Sequence, residues 1–243
     1  MILVIGVTIL SLLPAVFLYF WLKNKMRKPA DENYRAACRS ALLYGFLSTV
    51  FTVLFSLAFR LLGNAIGLRN GTSLLAAAYH DFIVLALSEE ICKTWMMTKV
   101  LKKTGYSYTW QDMIVFMVLV SIGFELLESV VSALTSNPIQ ILVRGVLIMH
   151  GIFGFIEGWF YGKACYTGKK HYAAIGFVIA WLYHGAYDFG LSEKFAELGE
   201  YSAFLSVSLA ALSLVLVIVM IIFFAKKNKK PQYLEPLPQA EIK

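Results

Sequence analysis

The chain has 243 residues, of which 59% are hydrophobic and only 15% charged, with a formal net charge of +7. A soluble domain carries about 25% charged residues, so this composition excludes an ordinary water-soluble enzyme and leaves no length for a soluble domain beside one multi-span membrane domain. The basic excess does not point to nucleic acid, because its placement follows membrane topology.

Seven continuous apolar runs occupy 2–22, 41–62, 74–97, 113–134, 139–161, 172–191 and 203–225. Each is close to the ~20 residues that a helix needs to cross a bilayer. They do not alternate polar with apolar positions, which excludes a β-barrel. The expected fold is an all-α, polytopic transmembrane helix bundle of seven spans. It forms a single domain over residues 1–225, followed by a basic, polar tail over 226–243.

No Lys or Arg precedes the first run, whereas Lys23, Lys25, Arg27 and Lys28 follow it. A cleaved signal would carry its charge first and a small-residue site after its apolar core. The run therefore reads as an uncleaved anchor with its N-terminus outside, and Pro14 is expected to kink it. With that orientation, cytoplasmic segments hold 17 of the 22 Lys and Arg residues, as the positive-inside rule requires. Only Arg60, Arg69 and Lys194 fall outside. The C-terminus is then cytoplasmic, and its basic flank faces anionic lipid. The expected location is a cell membrane, crossed several times. Cys38, Cys92 and Cys165 have no metal-ligand spacing and form no disulfide framework.

Four consecutive runs carry acid–base groups, although an ionised side chain at the bilayer centre costs at least ~2.5 kcal/mol. The third run holds Glu89, Glu90 and Lys93. Lys93 is four residues from one acid and three from the other, so it can flank both. Adjacent glutamates point about 100° apart, so one can face a reacting centre while the other braces it. The structural alternative is an ion pair that locks two helices.

The fourth run places Glu125 and Glu128 on one face. In the fifth, His150 is followed at four-residue intervals by Gly154, Gly158 and Gly162. Such spacing lets helices approach closely in lipid, so His150 is expected in a tightly packed seam, with Arg144 near the outer end and Glu157 either exposed or inward. In the sixth run His184 and Asp188 share a face, and Asp188 can orient the imidazole. At 1.5 Å per residue, Glu89 and Glu90 lie roughly 12 Å from one end of their run, and Glu125, His150 and His184 roughly 17–20 Å from the starts of theirs. The four helices can therefore present these groups at overlapping depths, as a buried polar site requires.

The ordered set Glu89-Glu90-x-x-Lys93, Phe124-Glu125-x-x-Glu128, Arg144 with His150 and its glycines, and His184-x-x-x-Asp188 resembles the PrsW family of intramembrane proteases. It is more remotely similar to the CAAX prenyl endopeptidases and bacteriocin-processing membrane enzymes. The resemblance spans the motif-bearing core, 74–190, nearly half the chain. It implies that Glu89 and Glu90 are the catalytic pair, one of them activating water as general base. Glu128 stands where relatives use His or Glu. His150 and His184 complete the site, and Lys93, Glu125, Arg144 and Asp188 support it. The CAAX enzymes have Arg after the Glu pair and His in the second motif. Lys93 and Glu128 depart from both, which argues against prenylated substrates.

The implied partner is a membrane-anchored protein, of the anti-sigma-factor type in PrsW-like regulated proteolysis. The expected chemistry is a carboxylate-activated water with histidines stabilising the oxyanion. Zn2+ is the candidate cofactor, with His150, His184 and Glu128 as candidate ligands. A non-enzymatic transporter or proton-linked channel would use the same buried groups, although there is no inverted repeat to support it. A relative that binds membrane partners without cleaving them is the third alternative.

Overall fold

The computed structural model describes residues 2–25, 32–69, 72–103, 108–132 and 148–226. Arg144, the first part of the fifth expected run and the tail beyond Lys226 lie outside these residues. Helix α1 (Ile2–Lys25) continues through Pro14 as one element. Helix α2 (Glu32–Ala65) has 34 residues, or about 51 Å at 1.5 Å per residue. It therefore begins well before the apolar run, and its polar first turns carry Glu32, Arg35 and Arg39 past the hydrocarbon thickness.

Residues 74–103 form one uninterrupted rod: α3 (Leu74–Tyr79), a π-helical stretch (His80–Leu87) and α4 (Ser88–Lys103). The rod starts where the Ser73 hydroxyl accepts the Ala76 amide hydrogen at 3.1 Å. Helix α5 (Trp110–Ser132) opens on a reciprocal cap. The Asp112 amide donates to Thr109 Oγ1 at 3.2 Å, and the Thr109 amide donates to Asp112 Oδ2 at 2.8 Å, the capping-box pattern with Asp in place of Glu. Then come α6 (Met149–Thr167), α7 (His171–Gly190), the short α8 (Glu193–Ala196) and α9 (Glu200–Ala225).

Helix α5 is the axis of the bundle. Every residue from 113 to 122 is at most 2% exposed, as expected of a helix that is apolar all round. Helices α1, α2, α4 and α6 pack around it. Two crossings depend on missing side chains. A Cβ at Gly45 or Gly123 would run into the backbone of Val120 or Leu42, where α2 crosses α5. A Cβ at Gly158 would lie 2.7 Å from the Ile114 Cα, where α6 lies against α5, and Gly154 and Gly162 continue that contact. Helix α7 packs on α6 and on the π-helical stretch.

The outer faces are apolar. Phe17 on α1, Val53 on α2 and Phe204 on α9 are 70%, 63% and 77% exposed within continuous belts of similar residues. A soluble monomer does not present such belts to water. Four windows are long and apolar enough to cross a membrane by length and composition: Gly6–Lys23, Glu32–Ala65, Trp110–Val131 and Glu200–Ala225. The rod at 74–103, α6 and α7 carry interior polar residues and are not among these four.

Candidate active site

The Glu pair sits in the first turn of α4, directly after the π-helical stretch. Glu90 and Lys93 are both 0% exposed. Lys93 Nζ donates to Glu90 Oε1 at 2.6 Å, the i,i+3 partner of the two that the spacing allowed. The same oxygen lies 2.6 Å from His184 Nδ1 on α7. Glu90 is thus held by one group on its own helix and one across the bundle. Lys93 also approaches His150 Nδ1 of α6 at 3.2 Å, and its ammonium lies 5.1 Å and 5.7 Å from the centres of the Phe124 and Phe153 rings.

The partners fix the state of His150. Lys93 has only protons to offer, so His150 Nδ1 accepts, and the ring hydrogen is on Nε2. Nε2 donates to Glu128 Oε2 of α5 at 2.6 Å. The two imidazoles stand perpendicular with centres 5.2 Å apart. His184 stacks on Phe153 at 4.5 Å and 21°, and its Nε2 is 3.2 Å from Asp188 Oδ2 one turn on. Glu89 is arranged differently from Glu90. Its buried Oε2 has no hydrogen-bond partner, and it points between the histidines, 3.6 Å from His184 Nε2 and 4.0 Å from His150 Nδ1.

Glu89, Glu90, Lys93, Glu128, His150, His184 and Asp188 therefore meet in one buried cluster supplied by α4, α5, α6 and α7. Glu125 is buried one turn before Glu128 on α5, and Arg144 lies outside the described residues. Sequence reasoning missed Phe153, which forms the stacking wall of His184. Its position three residues after His150, on the same side of a helix, was the available signal. The π-helical stretch was also missed, since no residue pattern distinguishes it from a continuous α-helix.

Glu89, His150 and His184 each offer one ligand atom, and these atoms lie within 4.8 Å of one another. Two nitrogens and a carboxylate oxygen form the kind of three-ligand set that catalytic zinc takes. Two observations support the fit. Glu89 Oε2 is buried without a hydrogen-bond partner, whereas His184 Nε2 lies 3.2 Å from Asp188 Oδ2 and His150 Nδ1 3.2 Å from Lys93 Nζ, contacts that a metal would displace. The opposite nitrogen of each imidazole is already engaged by a carboxylate, Glu128 for His150 and Glu90 for His184, as in metal-bound histidines. Of the ligands expected from the sequence, Glu128 takes this outer position, and Glu89 completes the converging set.

Residues 35–225 match the model of a family described as PrsW family intramembrane metalloprotease. The chain is 28% identical over 184 residues to the protein named Protease PrsW of Geobacillus kaustophilus, covering 74% of this chain and 76% of that one. It is 25% identical over 191 residues to that of Clostridioides difficile, covering 74% and 77%. A 30% identical match over 112 residues to that of Oceanobacillus iheyensis covers 44% of this chain and 52% of the relative. No solved structure is significantly similar. With the match running through every helix that supplies the cluster, the chain belongs to the PrsW family of intramembrane metalloproteases and is a peptidase.

Proposed function

We propose that the chain is an endopeptidase of the bacterial plasma membrane that cleaves a membrane-anchored protein, of the single-span, anti-sigma-factor type, within or beside its span. The observation that carries this reading is the Glu89 carboxylate oxygen, buried and without a hydrogen-bond partner between two imidazoles. A water placed there loses a proton to Glu89 as its oxygen attacks the peptide carbonyl carbon. The proton then passes to the leaving amine nitrogen as the carbon–nitrogen bond breaks. Glu90 braces the site, holding Lys93 and His184 at 2.6 Å each. Lys93 supplies a fixed positive charge beside the developing oxyanion. Glu128 fixes the His150 ring, and Asp188 steadies His184. A zinc ion held by Glu89, His150 and His184 would supply Lewis acidity and a more acidic water, and Glu89 would then serve as its ligand in place of general base.

The test is co-expression with a panel of tagged single-span proteins, with variants matched for membrane level. Glu89→Gln is expected to lose cleavage at least a hundredfold, as are His150→Ala and His184→Ala. Cleavage that survives Glu89→Gln would overturn the assignment. For the metal, we expect about one zinc per wild-type chain by elemental analysis and little in His184→Ala. Wild-type protein freed of metal that still cleaves would leave the carboxylate mechanism standing alone.

A further inference from the structure

Among the buried acids outside the cluster, one lines a cavity. Glu157 is on α6, seven residues after His150. It is therefore on nearly the same face and about 10 Å nearer the α6–α7 turn. The Thr94 hydroxyl, immediately after Lys93, lies 3.4 Å from Glu157 Oε1 and 3.3 Å from Oε2. One long hydroxyl hydrogen bond is thus shared between both carboxylate oxygens. Among the described residues no Lys, Arg or His forms an ion pair with Glu157, and the Lys93 ammonium is committed to Glu90 and His150.

Glu157 also lines a cavity of about 220 Å³, walled by Met97, Met117, Ala174 and Phe177. The wall is apolar and flexible, since thioethers adapt to a variable guest. A long aliphatic stem ending in a cation would fill this space and bring Glu157 the counter-charge it lacks, through a charge-assisted hydrogen bond. An acidic guest would be repelled, and a short apolar one would leave the carboxylate unmatched. A substrate lying extended past the Glu pair advances ~3.3 Å per residue, so the cavity falls about three residues from the bond being cut. Lys and Arg are the residues that flank membrane spans, which puts them within reach of a cut made at the edge of a span.

We propose that this cavity receives a Lys or Arg side chain of the substrate, with Glu157 as its counter-charge and selectivity determinant. The proposal rests on the endopeptidase reading for its catalytic consequence, but the binding can be measured separately. For cleavage, the cut in a single-span reporter is mapped by mass spectrometry, and Lys, Gln or Glu is placed two to four residues to either side. At one position the wild type is expected to favour Lys over Gln at least tenfold in kcat/KM. Glu157→Gln should bring that ratio close to one while still cleaving the Gln reporter, and Glu157→Lys should favour the Glu reporter. An unchanged Lys preference in Glu157→Gln, or equal slowing of all reporters, would overturn the proposal.

For binding, the thiol introduced by Ala174→Cys in a Glu89→Gln background is labelled with maleimide and quantified by peptide mass. The Lys reporter should protect it, the Gln reporter should not, and adding Glu157→Gln should abolish the protection. Lys-dependent protection together with a wild type that cuts nothing would remove the endopeptidase reading and keep the pocket. Absence of protection would remove the pocket whatever the enzyme cleaves.

Discussion

Glu89 and Glu90 are neighbours in sequence with opposite tasks, and the difference is set by what meets each carboxylate. Glu90 shares one oxygen between Lys93 and His184, whereas Glu89 aims an oxygen at the gap between the imidazoles. Glu89→Gln is therefore expected to lose activity with little change in thermal unfolding. Glu90→Gln should lose both, because it leaves the buried Lys93 ammonium without its acid. Removing one partner of a buried pair typically costs about 3–5 kcal/mol. Lys93→Met should be similarly damaging, and combining the two should cost clearly less than the sum. Thermal unfolding of the four proteins in one detergent checks this cycle. The sequence made the acids, histidines and lysine legible because each is expensive in an apolar run. It did not say which glutamate braces, since a spacing of three or four allows Lys93 either partner. It also left Glu157 undecided, because only the packing of α6 shows that this acid turns inward.

At the scale of elements, the π-helical stretch His80–Leu87 aims the Glu pair. Such segments hydrogen-bond five residues back, not four, and are frequent at functional sites. Here the stretch is pinned from outside, where the Trp181 indole of α7 donates to the Phe82 carbonyl at 2.6 Å. The same two helices carry Glu90 and His184. Trp181→Phe is expected to cost about 1 kcal/mol, the net worth of one such bond, and to reduce cleavage severalfold as that alignment loosens. By contrast, a close contact on α6 was legible from the four-residue glycine spacing, though not that α5 is the partner. Gly158→Val should separate these helices and destabilise the protein by about 1–3 kcal/mol, measurable as a lower Tm.

At the scale of the molecule, the apolar belts on α1, α2 and α9 enclose a polar interior. From the positive-inside count we propose that the N-terminus lies outside and Lys226 in the cytoplasm. Alkaline phosphatase fused at Gly199 should accordingly be active, and a fluorescent protein fused after Lys226 should fluoresce. The reverse pattern would invert the topology. Four of the seven expected runs lie in helices long and apolar enough to cross a membrane, but which run is central was not legible. An apolar stretch reads the same whether lipid or protein surrounds it, and only the 2% ceiling on exposure from 113 to 122 distinguishes α5. That distinction bears on biogenesis. Helices α1, α2, α5 and α9 are apolar enough to partition from the translocon on their own account, while α6 and α7 bring imidazoles and carboxylates that lipid does not welcome. Because α5 leaves the ribosome before them, it is already waiting as a protein surface with Glu128 in place, so the acid–base helices can exchange water for a neighbour without first being stranded in hydrocarbon.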